Sequence, residues 1–301
     1  MTNLLEMKGV SRRVSDSFSL GGIDLAVGAG EVVGLVGTNG AGKTTTLRAA
    51  LGLLHTDSGS IRLFGQPFGP GCKAPVQREA RSRVGVVLDA CPFPRDHTVS
   101  QVVACVAPAY SNWDRATFDD LTARAGILPK TKVRDLSRGM GMKLQLAVAL
   151  SHGAELLVLD EATAGLDPIA RDEVLDQLRA FASAGDDGQG RGAAHGVLLS
   201  SHISSDLERI ADRVVAIDAG RIAFDVPRED ITDTAGIAHC ASSRASEVLS
   251  CVDDARLLRR EYGCDVLVPN RFEFAEAFPD VACDHASVDE YLHFFLKGET
   301  R

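Results

Sequence analysis

The segment from Glu31 to Arg48, EVVGLVGTNGAGKTTTLR, constrains the fold of this chain more than any other stretch. Its apolar run from Val32 to Val36 predicts a buried strand, and a glycine-rich turn separates that strand from a helical sequence. The turn matches the pattern G-x-x-x-x-G-K-S/T, whose backbone N–H groups cradle phosphate at the N-terminus of a helix. We therefore predict a nucleotide-phosphate site at this turn, rather than a flexible connection between two elements.

The residue types in the turn suit phosphate oxygens and a magnesium ion. Glycines allow a tight turn with inward-pointing N–H groups, which carry partial positive charge. The pattern assigns Lys43 to the β- and γ-phosphates and the Thr44 hydroxyl to Mg²⁺. On its own, this arrangement fits many nucleoside triphosphatases. The predicted nucleotide-binding residues of the segment are Gly37, Thr38, Asn39, Gly40, Ala41, Gly42, Lys43, Thr44 and Thr45.

Composition narrows the class of protein. Charged residues make up 24% of the 301 residues and the formal net charge is −9, which disfavours a nucleic-acid partner because such binding relies on Lys and Arg. The sequence has no apolar run of about 18 residues and no signal-peptide pattern, so we expect neither a membrane span nor secretion. The seven cysteines are scattered and form no C-x-x-C pair, which favours reduced thiols in the cytosol over metal ligands.

Buried strands and their connections predict an α/β fold. Apolar runs at Val84–Leu88, Leu156–Leu159 and Val197–Leu199 are typical of parallel strands covered on both faces. Two β segments within residues 1–30 predict an antiparallel layer beside them. We therefore predict a P-loop NTPase with a mostly parallel sheet core and an antiparallel β edge subdomain.

Three regions depart from this strand-rich pattern. Residues from about 90 to 151 have helical periodicity and predict a helical subdomain. Residues 185–196, GDDGQGRGAAHG, predict a glycine-rich surface insertion with no evident chemistry. After Val226 the pattern changes again, and the end of the chain includes an amphipathic segment, VDEYLHFFLKG. We predict an ATP-binding type of domain over residues 1–226 and a small accessory domain over residues 227–301.

A second magnesium ligand is expected at the end of a neighbouring buried strand. The sequence LLVLDE places Asp160 at such an end, with Glu161 one residue further on. We assign Asp160 to Mg²⁺, directly or through water, and Glu161 to the general base that orients the attacking water. A solvated surface carboxylate remains the alternative for Glu161.

A further segment, LSRGM at Leu136–Met140, begins a predicted helix at Ser137. Alone it would be an ordinary helix cap, but its position upstream of LLVLDE favours an anion site. The order of P-loop, LSRGM, LLVLDE, AGLD at Ala164–Asp167 and SSH ending in His202 resembles the ATP-binding family of ABC transporters. The resemblance covers residues 1 to about 225 and implies ATP and Mg²⁺ as cofactors.

The resemblance also implies a second ATP-binding subunit, identical or different. In such head-to-tail dimers, Ser137 and Gly139 would contact the γ-phosphate bound by the partner's P-loop, and Asp167 would couple the two sites. His202 would sense the γ-phosphate. ATP-driven closure and reopening would power a separately encoded membrane permease, so we expect a cytoplasmic protein at the inner face of the membrane. The implied catalytic residues are Glu161, His202 and Lys43.

Several positions depart from the family pattern. Arg138 and Met140 stand where the signature usually has Gly and Gln. Asp89 follows VGVVL at the usual glutamine position, from which its carboxylate would reach the metal through water. The aromatic residue that stacks on adenine aligns with Val14, and Phe18 is the alternative stacking partner.

Within this family, the chain is similar to the YtrB-like branch. The features that carry this similarity are Asp89, the Trp113–Asp114 pair, HISSDLERIADRV and FFLKGE. That branch implies export linked to antibiotics or small metabolites. One alternative is an ABC ATPase that acts on ribosomes or DNA, although the single ATPase core, the lack of heptads and the acidic charge disfavour it. A second alternative is an ATP-binding sensor with little turnover, which the intact Glu161 and His202 disfavour.

Overall fold

The computed structural model describes residues 3–69, 71–184 and 195–300. Most of the predicted glycine-rich insertion, residues 185–194, lies outside the described residues. The strands are β1 (Asn3–Arg13), β2 (Ser19–Gly28), β3 (Val32–Val36), β4 (Ser58–Leu63), β5 (Gln66–Phe68), β6 (Val84–Val87), β7 (Leu156–Asp160), β8 (Gly196–Ser200), β9 (Arg213–Asp218), β10 (Arg221–Pro227), β11 (Gly236–Cys240), β12 (Arg256–Arg260), β13 (Gly263–Val268) and β14 (Ala282–His285).

The helices lie between the strands along the chain. They are α1 (Lys43–Ala50), α2 (Ala74–Ser82), α3 (Val99–Val106), α4 (Arg115–Arg124), α5 (Arg138–Ser151), α6 (Pro168–Ser183), α7 (Ser204–Ile210), α8 (Ala245–Cys251), α9 (Arg271–Ala277) and α10 (Val288–Lys297). Among the described residues, none of these helices has the length and apolar character needed to cross a membrane.

A six-stranded sheet in the order β10-β9-β3-β8-β7-β6 forms the centre of the molecule. Strands β9, β3, β8, β7 and β6 are parallel, and β10 pairs antiparallel with β9 at one edge. Alternate side chains of β7 enter different cores: Leu156 and Val158 pack on one face, and Leu157 and Leu159 on the other. Burial on both faces explains why these strands are apolar throughout.

A second sheet, in the order β2-β1-β4-β5, is antiparallel and covers one face of the central sheet. Its inward residues, Leu5, Met7, Ile23 and Leu25 among them, share a core with Leu35 of β3. This layer is the antiparallel edge subdomain that the sequence predicts. Helices α3, α4 and α5 enclose a separate small core in the predicted helical region.

Helix α1 is shorter than the sequence predicts. The apolar spacing predicts a helix from Lys43 to about Leu54, but α1 ends at Ala50. Gly52 adopts a φ of +64°, a left-handed conformation that commonly follows a helix end. The prediction was too long because Leu53 and Leu54 continue the apolar spacing past this glycine, although Leu53 is 67% exposed.

A third sheet, in the order β12-β13-β11-β14, lies in the C-terminal region and has a core of its own. Helix α10 connects this region to the central domain. Its Val288 and Leu292 join the apolar cluster that contains Leu207 of α7 and Phe224 of β10. The Val288 N–H also donates to Glu208 Oε1 at 2.7 Å. The domain boundary at residue 226 stays a prediction.

Candidate nucleotide site

The glycine-rich turn connects the end of β3 to α1 in a conformation that requires glycine at particular positions. A Cβ atom on Gly37 would lie 2.3 Å from the carbonyl oxygen of Ile217. Gly42 has a φ of +119°, and a Cβ atom there would lie 3.0 Å from Phe18 Cζ. Lys43 is only 6% exposed, and its Nζ donates to the Gly37 carbonyl at 2.8 Å. The turn therefore holds the lysine ammonium folded over the loop.

Thr44 and Asp160 meet where the turn approaches the end of β7. The Thr44 hydroxyl donates to Asp160 Oδ1 at 3.2 Å, and Ser200 Oγ donates to the same oxygen at 2.7 Å. Asp160 is 9% exposed, and Ser200 lies opposite it in the β7–β8 register. A hydroxyl and a fixed carboxylate oxygen are hard oxygen donors, so these residues fit a magnesium ion.

Lys43 and His202 both approach the carboxylate of Glu161, and these three residues are the ones predicted to be catalytic. Glu161 Oε1 lies 3.4 Å from Lys43 Nζ. The other oxygen, Oε2, contacts His202 Nδ1 and accepts the His202 backbone N–H at 3.2 Å. This arrangement holds the carboxylate between an ammonium group and an imidazole ring, where it can orient a water molecule towards a phosphate held by the P-loop.

The backbone at Glu161 is strained. Its φ of +52° is left-handed, which costs a residue with a side chain about 1–2 kcal/mol. The Glu161 N–H donates to both the hydroxyl and the carbonyl oxygen of Ser200, each at 3.1 Å. Such strain persists at functional sites where the surrounding contacts fix the residue. Sequence reasoning gave Ser200 no role, although a polar residue at the end of the strand beside β7 was a usable signal.

A cavity of about 790 Å³ lies in front of the turn. The predicted residues that line it are Thr38, Asn39, Gly40, Gly42, Lys43, Thr44, Thr45, Asp89, Glu161 and His202. Gly37 and Ala41 are buried behind this surface. Phe18 also lines the cavity, whereas Val14 is 47% exposed and does not. The alternative stacking residue is thus the one beside the site.

Ser137, Gly139 and Asp167 lie outside the lining of this cavity. Ser137 is the N-cap of α5 and its Oγ accepts the Met140 N–H at 3.2 Å. Asp167 is the N-cap of α6 and accepts the Ala170 N–H at 3.0 Å. Both capping residues are exposed. Within one chain, the structure therefore does not bring these residues to the P-loop.

The two charged departures from the family pattern contact each other. Arg138 also lines the cavity, and its guanidinium forms an ion pair with Asp89 Oδ1. The residues are 49 positions apart in sequence, so no local pattern could have indicated the contact. Asp89 thus lies at the cavity, but its carboxylate is engaged by an arginine.

Comparison with known proteins agrees with this geometry. The model of the ABC transporter family matches residues 20–164. The Nod factor export ATP-binding protein I of Burkholderia orbicola is 36% identical over 238 residues, which cover 77% of this chain and 74% of that protein. The chain belongs to the ATP-binding family of ABC transporters.

Solved structures confirm the fold predicted for this ABC ATPase. A structure of an ATP binding subunit of an ABC transporter matches with a TM-score of 0.64 and 26% identity, covering 76% of this chain and 91% of that one. A dimeric ATP-binding cassette in a post-hydrolysis state, bound to ADP and Pi, matches with a TM-score of 0.63 and 17% identity, covering 74% and 98%. The family assignment also confirms the predicted ATP hydrolysis. The YtrB-like branch stays a prediction.

Proposed function

We propose that this ATP-binding subunit powers a separately encoded permease that exports an antibiotic or another small metabolite. The observation that carries the hydrolytic part is the convergence of Lys43 and His202 on the Glu161 carboxylate beside the P-loop. Export as the direction is supported by relatives that bear the name of Nod factor export proteins. The subunit then lies at the cytoplasmic face of the membrane, bound to its permease.

Each residue of the site has a distinct task in this proposal. Glu161 orients the attacking water and accepts its proton. His202 fixes the Glu161 carboxylate through Oε2, and Lys43 neutralises charge on the β- and γ-phosphates. Thr44 and Asp160 hold Mg²⁺, which compensates the charge that develops on the phosphate oxygens. Phe18 stacks on the adenine, since it lines the cavity beside Gly42.

The site of one chain is incomplete in this proposal. Ser137 and Gly139 of a second subunit complete it by contacting the γ-phosphate, and Asp167 lies at the interface between the two sites. Their location outside the cavity of their own chain, together with the exposure of Ser137 and Asp167, supports this assignment. A helix N-terminus such as that of α5 offers unpaired N–H groups to an anion. Whether the second subunit is identical or different is left open.

Replacement of Glu161 by Gln tests the hydrolytic site and the dimer together. The amide keeps the shape of the side chain but is a very poor base, so turnover should fall about 10²–10⁴-fold. ATP should then remain bound, and light scattering coupled to gel filtration should detect a dimer with ATP and Mg²⁺. Glu276→Gln, at an exposed position in α9, is the matched control. Normal turnover in the Glu161 variant, or a monomer with ATP, would contradict the proposal.

The permease is tested by recovery of the chain from membranes. Affinity purification after mild detergent extraction should yield a polytopic membrane protein in defined stoichiometry, and its presence should alter the ATPase rate. Recovery with ribosomes or DNA would instead favour the alternative class of ABC ATPase.

A further inference from the structure

The Asp89–Arg138 ion pair is the feature of the site that the proposed function does not use. Asp89 lies in the connection after β6, and Arg138 is the first residue of α5, next to Ser137. Both side chains are about half exposed and both line the cavity in front of the P-loop. The guanidinium also lies near Gly165, where an added Cβ atom would be 3.0 Å from its Nη1. The arginine thus pairs with one segment that borders the nucleotide cavity and lies beside another.

A buried contact already fastens the same two elements. Gln145 of α5 is 2% exposed, donates its Nε2–H to the Leu88 carbonyl at 3.1 Å and accepts the Leu88 N–H at 2.9 Å. These paired hydrogen bonds fix α5 to the end of β6 without any charge. Exposed ion pairs contribute little to stability. The fold therefore does not need the Asp89–Arg138 pair, which makes a role at the cavity the better explanation.

The charges around the cavity indicate what that role is. A triphosphate carries several negative charges, and a free carboxylate in its cavity would repel it. A free guanidinium would attract it. The charged side chains that line the cavity are Lys43, Arg138, Asp89 and Glu161, with His202 beside them. Lys43 already lies 3.4 Å from Glu161, so Arg138 is the cation that compensates Asp89.

We propose that Arg138 is a positioning residue for ATP: it neutralises Asp89 and holds this carboxylate away from the triphosphate. The inference rests on the proposed nucleotide site. It assigns a shared task to the two charged departures: Arg138 makes the Asp89 carboxylate tolerable beside a triphosphate.

The test is a double-mutant cycle with Michaelis constants for Mg²⁺-ATP as the readout. Arg138→Gln leaves Asp89 unpaired and should raise KM on the order of fivefold, since two charges near a surface interact through an intermediate dielectric. Asp89→Asn leaves Arg138 free to attract phosphate and should lower KM by a factor of about two to five. The double variant should return KM to within about twofold of the wild-type value. Arg138→Lys should also stay near wild type because it keeps the charge.

Matched controls separate this role from a structural one. Arg134 forms an ion pair with Asp96 at 2.6 Å in the same region but away from the cavity, so Arg134→Gln should leave KM unchanged. Higher ionic strength should shrink the KM difference between the two single variants. A rise of KM in both single variants, or a double variant worse than either, would overturn the proposal. Undiminished ATP binding by Lys43→Ala would instead show that the nucleotide site itself is misassigned.

Discussion

Replacement of Ser200 by Ala should weaken the magnesium site and the fold together. Its hydroxyl is fully buried, donates to Asp160 Oδ1 at 2.7 Å and accepts the Glu161 N–H at 3.1 Å. Alanine leaves the Glu161 N–H with the Ser200 carbonyl as an acceptor. It leaves Asp160 Oδ1 with the Thr44 hydroxyl at 3.2 Å. The main loss is therefore one hydrogen bond to a buried carboxylate.

The loss of this one hydrogen bond sets the expected changes in stability and in Mg²⁺ affinity. A hydrogen bond to a charged group contributes about 1.5–3 kcal/mol, so the free energy of unfolding should fall by about 2 kcal/mol. For a chain of this length that corresponds to a Tm about 3 °C lower. Loss of a group that orients a metal ligand typically weakens metal affinity about 10–100-fold. The Mg²⁺ concentration for half-maximal ATPase activity should rise accordingly.

The assay compares Ser200→Ala with Ser201→Ala. Ser201 is equally buried, but within the described part of the chain its hydroxyl bonds only to the backbone of Ile203, accepting its N–H at 3.0 Å. Urea unfolding and Mg²⁺ titration of ATPase activity should be measured for both variants. We expect both to lose stability and only Ser200→Ala to need more Mg²⁺. Equal Mg²⁺ dependence in the two variants would refute the role given to Ser200.

Three further predictions concern other parts of the molecule. Lys43→Ala should abolish ATP binding in equilibrium dialysis, and unchanged affinity would contradict the P-loop assignment. The hydrogen bond from His239 to Asp265 raises the pKa of His239, so the stability this pair contributes is complete below about pH 6.5 and declines as pH rises through the raised pKa. The stability difference between wild type and His239→Gln should shrink over that range, and a pH-independent difference would count against the pair. Leu292→Ala, in the face of α10 packed on α7, should cost about 2–4 kcal/mol in urea unfolding, whereas the exposed His293→Ala should cost little.

The parts of the site that are contiguous in sequence could be predicted. The strand, turn and helix around Lys43 follow from local patterns, because glycine conformation and apolar spacing act over a few residues. The position of Asp160 and Glu161 at the end of a strand could be predicted for the same reason, because the apolar run that ends there is visible in the sequence. The convergence of Glu161, Lys43 and His202 could be predicted only through the resemblance to a family.

Contacts between distant segments were not predictable. Ser200 faces Asp160 because β7 and β8 are neighbours in a particular register, which no single strand specifies. The Asp89–Arg138 pair depends on the angle at which α5 meets the end of β6. In the C-terminal region, the sequence from Asp265 to Val268 predicts a strand, and β13 includes it, whereas β14, ACDH, is too short and polar to give a signal.

The packing of α10 on α7 has a consequence for how this chain is made. Val288 and Leu292 supply part of the core that surrounds Leu207 and Phe224, and these last two residues leave the ribosome earlier. Domains generally fold as units, N-terminal ones first, during synthesis. Here the central domain would emerge with an apolar flank that stays uncovered until α10 is translated. Nascent chains stalled before Val288 should therefore bind chaperones, and release of the chaperone should coincide with the emergence of this helix.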